Sequence, residues 1–295
     1  MASFSHYLVL LVLKLKGVKK DFSQDPIDYL KIRKEDIHKP NHNFFPKSKV
    51  FQFEISNTLI TEIKQKVTPS EKLILFIHGG AFISGPGKHH WDSIKEIHKN
   101  TPNTIWLCDY PKAPEFKIDE ISKNLDLVYS KAIEKFKANE ITIIGDSVGG
   151  TLATALVQRL VKNDLALPKQ IILISPVMDA SFSNPEISLI DKTDPMLSKT
   201  GVLSAKKMCA KNNDLKNVMI SPIHGSFDFF PKTILFLAEN DITYPDQKIA
   251  EKKLKLSNIA TEVVIGKNMP HIWPLLPIMS ESKLALKKIT KYTNI

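Results

Sequence analysis

The sequence contains few cysteines, and their positions argue against disulfide or metal chemistry. Only Cys108 and Cys209 occur among the 295 residues. They form neither a metal-ligand spacing nor a redox pair, and no histidine partners them in sequence. Cys108 directly follows the apolar run 104–107, which favours a buried thiol. We therefore predict a reducing and cytoplasmic setting.

Arginine is also scarce, although the chain is basic. Lysine and arginine together number 41 against 31 acidic residues, a net charge of +10, yet only Arg33 and Arg159 are arginines. Nucleic-acid recognition usually clusters arginine and aromatic residues on one face, whereas these lysines are spread along the chain. The pattern predicts a solvated basic surface and no nucleic-acid partner.

Long hydrophobic runs are absent from the N-terminal region. Residues 7–13 form its only continuous apolar run, far shorter than the roughly 20 residues that span a bilayer. No basic stretch precedes the run and no small-residue cleavage site follows it, which argues against a signal peptide. We expect residues 7–15 to form an amphipathic helix that packs over a ligand pocket without stable membrane insertion. Contact with a membrane surface is the alternative.

Beyond residue 46 the sequence alternates between short β-type runs and segments of helical length. The predicted strands are 50–55, 73–77, 104–107, 141–144, 171–174, 234–237 and 262–265, and the clearest predicted helices are 121–138, 149–162 and 244–256. This alternation predicts an α/β fold with a mostly parallel central sheet and helices on both faces.

The spacing of these elements also suggests a domain organisation. The interval of about 40 residues after Asp179 is longer than a single crossover requires, which indicates an insertion. We predict an N-terminal cap segment at 1–45, a core at 46–178, a cap insertion at 179–222 and the rest of the core at 223–295. A cap of this kind would cover the carboxyl edge of the sheet, where open α/β sheets bind ligands.

The pentapeptide Gly145-Asp146-Ser147-Val148-Gly149 lies between a predicted strand and a predicted helix. A G-x-S-x-G sequence also occurs by chance, so its value depends on this context. At a sharp strand-to-helix turn the serine is exposed as a nucleophile, and the small residues let the turn close. The context therefore makes Ser147 the candidate nucleophile.

A second motif, His78-Gly79-Gly80-Ala81-Phe82, follows the predicted strand 73–77. Backbone N–H groups at this place in a hydrolase can stabilise an oxyanion, and each donor contributes roughly 3 kcal/mol to the transition state. We assign the candidate oxyanion hole to Gly79, Gly80, Ala81 and Val148, with the last three preferred as donors. Without the serine turn, the same glycines would predict only a loop.

An acid and a base must follow the nucleophile in the chain if this fold uses the order Ser, acid, His. Asp241 lies shortly after the predicted strand 234–237, and we prefer it to Glu239 and Asp246, which compete for the role. His271 follows the last predicted strand by one loop. Apart from His224, which no strand-end acid separates from Ser147, every other histidine precedes the serine.

With these motifs the sequence resembles the hormone-sensitive-lipase-like esterases from His78 to beyond His271. The segment Asp109-Tyr110-Pro111-Lys112-Ala113-Pro114-Glu115 is similar to a family segment, with Pro-Lys in place of the usual Arg-Leu. The resemblance implies an α/β-hydrolase fold, a Ser147, Asp241 and His271 triad, an oxyanion hole and a helical cap. Ala81 in place of a third glycine and Thr151 in place of asparagine are further departures, and neither removes a reactive group.

The resulting hypothesis is a serine carboxylesterase that hydrolyses short- to medium-chain acyl esters through an acyl-enzyme. This mechanism requires no metal and no organic cofactor. Lactones, amides and acetylated small molecules remain alternative substrates, and a non-catalytic binding protein on the same fold is the alternative class. We expect a small-molecule ester as the partner, and a homodimer is compatible with the sequence. Candidate pocket walls are the aromatic residues Phe82, Trp91 and Trp273, each of which is also a plausible core residue.

Overall fold

The computed structural model describes residues 3–41, 44–46, 48–65, 70–276 and 278–294. Of the predicted cap segment 1–45, residues 1, 2, 42 and 43 therefore lie outside the described residues. Among the helices of the described ranges, none has both the length and the apolar character needed to cross a membrane.

The described strands form one sheet with the order β1-β2-β4-β3-β5-β6-β7-β8. Strand β2 runs antiparallel to both of its neighbours, and the other pairs are parallel. The predicted mostly parallel sheet is thus confirmed. The strands are β1 (Ser48–Ile55), β2 (Thr58–Gln65), β3 (Leu73–Ile77), β4 (Thr104–Asp109), β5 (Ile141–Asp146), β6 (Gln170–Ile174), β7 (Lys232–Ala238) and β8 (Thr261–Gly266).

The centre of the sheet is buried along its whole length. Every residue of β3, β5 and β6 is buried, as expected for parallel strands covered on both faces, where apolar runs replace alternation. The outermost strands β1 and β8 are only partly buried. The loops that follow β3, β5 and β7 therefore start from the buried middle of the sheet.

Strand β2 is absent from the sequence-based prediction. It pairs with β1 through a tight turn in which Ser56 has φ 53°. The charged Glu62 interrupts the apolar pattern that predicts a strand. Its side chain is nevertheless buried, and its carboxylate accepts hydrogen bonds from Trp106 Nε1 at 2.9 Å and Lys64 Nζ at 2.7 Å. A tertiary contact thus stabilises a charge that the sequence pattern places in a loop.

Helices connect the strands and cover the sheet, with α4 packed on α10 and α5 on α6. They are α1 (Phe4–Leu15), α2 (Val18–Asp21), α3 (Tyr29–Ile32), α4 (Lys88–Lys99), α5 (Ile118–Lys135), α6 (Val148–Lys162), α7 (Ile187–Ile190), α8 (Lys199–Cys209), α9 (Tyr244–Leu256) and α10 (Ser280–Thr293). Helix α5 begins three residues before the predicted start, because the Glu120 carboxylate accepts the Lys117 N–H and caps the first turn.

The N-terminal segment is held to the core by polar contacts. Arg33 donates to the backbone carbonyls of Ile83 and Ala113 and pairs with the Glu115 carboxylate at 2.7 Å. The Arg33 guanidinium thus contacts segment 109–115, from which it is far in sequence. Helices α7 and α8 lie within the predicted insertion 179–222. Lys19 links the N-terminal segment to this insertion by donating to the Asp194 carbonyl at 2.8 Å.

Candidate active site

Ser147 lies at the turn between β5 and α6, the context that the motif requires. Its backbone has φ 52° and ψ −121°, a conformation that costs a non-glycine residue on the order of 1–3 kcal/mol. The turn is close-packed: a Cβ on Gly149 would lie 2.0 Å from the Ile77 carbonyl oxygen, and a Cβ on Gly145 would lie 2.4 Å from the Gly149 carbonyl oxygen. Neither motif glycine can therefore be replaced by a residue with a side chain unless the backbone moves.

The structure brings Ser147, His271 and Asp241 together although they are far apart in sequence. His271 Nε2 lies 2.9 Å from Ser147 Oγ, and His271 Nδ1 lies 2.7 Å from Asp241 Oδ2. Because a carboxylate only accepts, Nδ1 carries the hydrogen and Nε2 is free to accept from the serine hydroxyl. All three side chains are buried, with Ser147 8% exposed.

Asp241 is held in place by its own loop. Its Oδ1 accepts hydrogen bonds from the N–H and the hydroxyl of Thr243, both at 2.8 Å, and Gln247 donates to Oδ2 at 3.2 Å. The two competing acids point elsewhere: the Glu239 carboxylate accepts the Asn268 N–H, and that of Asp246 accepts from Asn184. The geometry thus selects the preferred acid.

The charges around His271 favour its protonated form. Burial by itself lowers the pKa of His271, but the Asp241 charge and hydrogen bond outweigh it, with smaller contributions from Asp194 and Asp146, so the pKa is raised above 6.5. An imidazolium that forms during a reaction would therefore be stabilised where it stands.

The backbone N–H groups beside Ser147 correct one part of the predicted oxyanion hole. The Gly79 N–H donates to Asp146 Oδ1 at 3.0 Å, so it is already occupied. The N–H groups of Gly80, Ala81 and Val148 have no acceptor among the described residues. Val148 begins α6, where an N–H lacks an intrahelical partner. Three of the four predicted donors are therefore available.

Gly79 has a positioning role instead. A Cβ on Gly79 would lie 2.9 Å from Ser147 Cβ, so the loop and the nucleophile are in direct contact. Asp146, which the sequence analysis left without a role, joins this loop to the serine turn through the Gly79 hydrogen bond. Its position next to the nucleophile in the motif was the available signal.

His89, His90 and Asp146 form a group that could hold a metal ion, since their ligand atoms lie within 4.8 Å of one another. The hydrogen bonds argue against this use. His90 Nδ1 accepts the Gly87 N–H at 2.9 Å, so its Nε2 carries the hydrogen, which points at Asp146 Oδ2 at 3.3 Å. The group is better explained as a hydrogen-bond network that fixes Asp146.

Asp194, in the predicted insertion 179–222, is a second residue near the site that the sequence analysis missed. Its buried carboxylate accepts the N–H groups of Met196 and Leu197, and also that of Ile242 at 2.9 Å, next to the triad acid. Burial and then the Asp241 charge raise the pKa of Asp194 to about 7. The residue lies 47 positions before Asp241 in sequence, so no local pattern reveals the contact.

The three predicted pocket-wall aromatics are all buried, and the two tryptophans donate hydrogen bonds to backbone carbonyls. Trp91 donates its indole N–H to the Ile37 carbonyl at 2.8 Å, and Trp273 donates to that of Leu237 at 3.0 Å. Phe82 lies beside the oxyanion loop, with Lys206 Nζ of α8 4.3 Å from its ring centroid. Substrate contact by these residues stays a prediction, for which Phe82 has the most favourable position.

Comparison with known proteins agrees with this architecture. Residues 74–275 match a family described as alpha/beta hydrolase fold. The chain is 27% identical over 235 residues to an esterase of Acinetobacter venetianus, covering 78% of this chain and 77% of that protein.

Solved structures show the same likeness. A Staphylococcus aureus crystal structure assigned as an esterase is 30% identical, with a TM-score of 0.82 and 88% of each chain covered. An esterase of the bacterial hormone-sensitive lipase family is 18% identical and shares the fold, with a TM-score of 0.85 over 99% of this chain and 98% of that one. The chain therefore belongs to the α/β-hydrolase family, and its predicted resemblance to hormone-sensitive-lipase-like esterases is confirmed.

Proposed function

We propose that this protein is a serine esterase that hydrolyses carboxylic esters through an acyl-enzyme. The observation that carries the proposal is the continuous hydrogen-bond chain from Ser147 Oγ through His271 to Asp241, at 2.9 and 2.7 Å. Nucleophile, base and orienting acid are thus aligned before any substrate arrives. The esterase names of the relatives in Acinetobacter venetianus and Staphylococcus aureus support the same activity.

The first half of the proposed reaction forms the acyl-enzyme. Ser147 Oγ attacks the ester carbonyl carbon while its proton moves to His271 Nε2. The carbonyl electrons move to oxygen, and the oxyanion accepts hydrogen bonds from the N–H groups of Gly80, Ala81 and Val148. When the tetrahedral intermediate collapses, the bond to the alkoxy oxygen breaks and His271 returns its proton to the departing alcohol.

The second half regenerates the enzyme by the same route. Water in place of the alcohol gives a proton to His271 Nε2 and attacks the acyl carbon, which forms a second oxyanion in the same hole. Collapse expels Ser147 Oγ, which recovers its proton from His271, and the carboxylic acid leaves. Asp241 accepts the hydrogen bond from Nδ1 throughout and so holds the imidazole in place.

We further propose that short- to medium-chain acyl groups are preferred. Ser147 is only 8% exposed, and the loop beside it carries the Ala81 methyl group where a glycine would leave more room. The buried Phe82 belongs to the same loop, and Lys206 Nζ of helix α8 lies 4.3 Å from the centroid of its ring. The space beside the nucleophile is therefore restricted.

The direct test is hydrolysis of p-nitrophenyl esters from acetate to laurate by the purified protein. We expect activity on the short and medium members. The substitution Ser147→Ala should lower kcat by on the order of a millionfold, because the remaining groups of a triad cannot replace its nucleophile. Ser257 provides a matched control: it is half-buried, and its hydroxyl donates to the exposed Asp228 at 2.7 Å, so Ser257→Ala should leave kcat unchanged.

The alternatives predict different results. A wild-type protein that is inert on every ester but binds them would indicate a binding protein on this fold. Hydrolysis of lactones, amides or acetylated compounds in preference to simple esters would keep the Ser147 mechanism and replace the substrate class. Ester hydrolysis that survives Ser147→Ala would refute the proposed mechanism.

A further inference from the structure

Helix α1 has an apolar face on each side. Its buried residues are His6, Val9 and Leu13, which at spacings of three and four share one face of the helix. A second set of large apolar residues at the same spacings is exposed: Phe4, Tyr7, Leu8, Leu11 and Leu15, from 43% for Leu8 to 85% for Phe4. A helix that is apolar on both sides is normally buried on both sides, whereas α1 packs only one of its apolar faces against the protein.

The contacts of α1 fix which face is exposed. Ser3 donates through its N–H and its hydroxyl to the Glu281 carboxylate at 2.7 and 2.8 Å, which ties the start of α1 to α10. Val9 and Leu13 belong to the hydrophobic core of the protein. The helix therefore cannot turn its second apolar face towards its own core without losing these contacts, and that face is left for an external surface.

The charge of this region selects the kind of surface that fits the exposed face. Residues 1–20 contain four lysines and no acidic residue. Lys14, Lys16 and Lys20 are exposed, whereas Lys19 is held by the Asp194 carbonyl at 2.8 Å. An apolar stripe followed at once by exposed lysines matches a lipid surface, where acyl chains take up the stripe and anionic headgroups attract the lysines.

We propose that α1 is an interfacial helix that docks the protein on an anionic lipid surface through Phe4, Tyr7, Leu8, Leu11 and Leu15. The helix has 12 residues, about 18 Å at 1.5 Å per residue, so it lies in the plane of the interface and does not span the bilayer. The docked protein keeps the contacts of His6, Val9 and Leu13 with its own core. The proposal is independent of the catalytic mechanism, since it concerns a different surface.

The test compares binding to vesicles of phosphatidylcholine alone and of phosphatidylcholine mixed with phosphatidylglycerol, measured by co-sedimentation. The wild-type protein should bind the anionic vesicles more tightly. The triple variant Leu8→Ser, Leu11→Ser and Leu15→Ser should bind them on the order of a hundredfold more weakly, because three leucines no longer leave water. The variant Lys14→Gln, Lys16→Gln and Lys20→Gln should lose roughly fivefold per lysine on anionic vesicles and little on neutral ones.

The chain offers a matched control. Leu127, Leu165 and Leu256 are 42% to 72% exposed, close to the 43% to 78% of Leu8, Leu11 and Leu15, but they lie outside α1. Changing them to serine should leave vesicle binding unchanged. Far-UV circular dichroism and the midpoint of thermal unfolding should be close to those of the wild type in all of these variants, which confirms that each is folded.

Three results would overturn the proposal. Wild-type protein that binds neither kind of vesicle would do so, as would an α1 triple variant that binds like the wild type. The third result is a wild type that does not bind vesicles and is a dimer by light scattering, together with an α1 triple variant that is a monomer. This result would show that the exposed apolar face of α1 binds a second copy of the chain. Ser147→Ala should bind vesicles normally, so failure of the catalytic proposal is distinguishable from failure of this one.

Discussion

Replacing Lys206 by methionine should stabilise the protein. Lys206 is completely buried in α8, and its Nζ has no hydrogen-bond partner among the described residues. The Phe82 ring, 4.3 Å away at its centroid, faces the amine. A buried ammonium with so little compensation is costly, whereas methionine fills a similar volume without charge.

The size of the effect follows from the pKa of Lys206. Burial, opposed only weakly by Cys209, lowers it from 10.5 to about 7. This corresponds to about 5 kcal/mol of the free energy of unfolding, at about 1.4 kcal/mol per pKa unit. Between these two values the unfolded chain binds more protons than the folded chain, so the cost is full below pH 7 and disappears as the pH rises towards 10.5.

Urea unfolding of the wild type and Lys206→Met at several pH values measures this directly. We expect the variant to be more stable by several kcal/mol near pH 6, with the difference shrinking steadily towards pH 10. Lys207→Met is the matched control, because Lys207 is exposed on the same helix and its change should have little effect at any pH. A variant that is less stable than the wild type near pH 6, or a difference that does not vary with pH, would refute the reasoning.

Two further predictions concern the catalytic residues. Because the pKa of His271 is raised and its neutral form is the base, kcat/KM for ester hydrolysis should fall as the pH drops through a value above 6.5. Asp241→Asn should lower both this pH value and kcat. An acidic fall in kcat/KM that occurs at the same pH in Asp241→Asn as in the wild type would contradict the prediction. Asp146→Asn should reduce kcat by roughly tenfold to a hundredfold in a folded protein, since Asp146 fixes Gly79 against Ser147. A kcat equal to that of the wild type in Asp146→Asn would show that Asp146 does not have this role. Asp228→Asn, at an exposed aspartate, is the control and should leave kcat unchanged.

The sequence predicts the parts of this protein that depend on local pattern. The apolar runs of β3, β5 and β6 identify the centre of the sheet because these strands are buried on both faces. The G-x-S-x-G turn identifies Ser147 because one of its steric limits lies within the motif: a Cβ on Gly145 would lie 2.4 Å from the Gly149 carbonyl oxygen. Chain order then leads to Asp241 and His271, which the structure places within hydrogen-bond distance.

What the sequence misses depends on contacts between distant segments. The charge of Glu62 in β2 is tolerated through Trp106, 44 positions away. The Gly79 N–H is lost as an oxyanion donor because it donates to Asp146. Asp194 accepts the Ile242 N–H next to the triad acid only because the fold brings two distant segments together. The exposed apolar face of α1 likewise becomes visible only when the buried face is known.

Covalent labelling tests the central claim, the activation of Ser147 by His271, most directly. The protein is treated with an alkyl fluorophosphonate, and peptide mass spectrometry then locates the adduct. We predict one adduct per chain, on Ser147, together with complete loss of esterase activity, and much slower labelling of His271→Ala. An adduct on another residue, or an esterase that stays active with Ser147 fully labelled, would contradict the account.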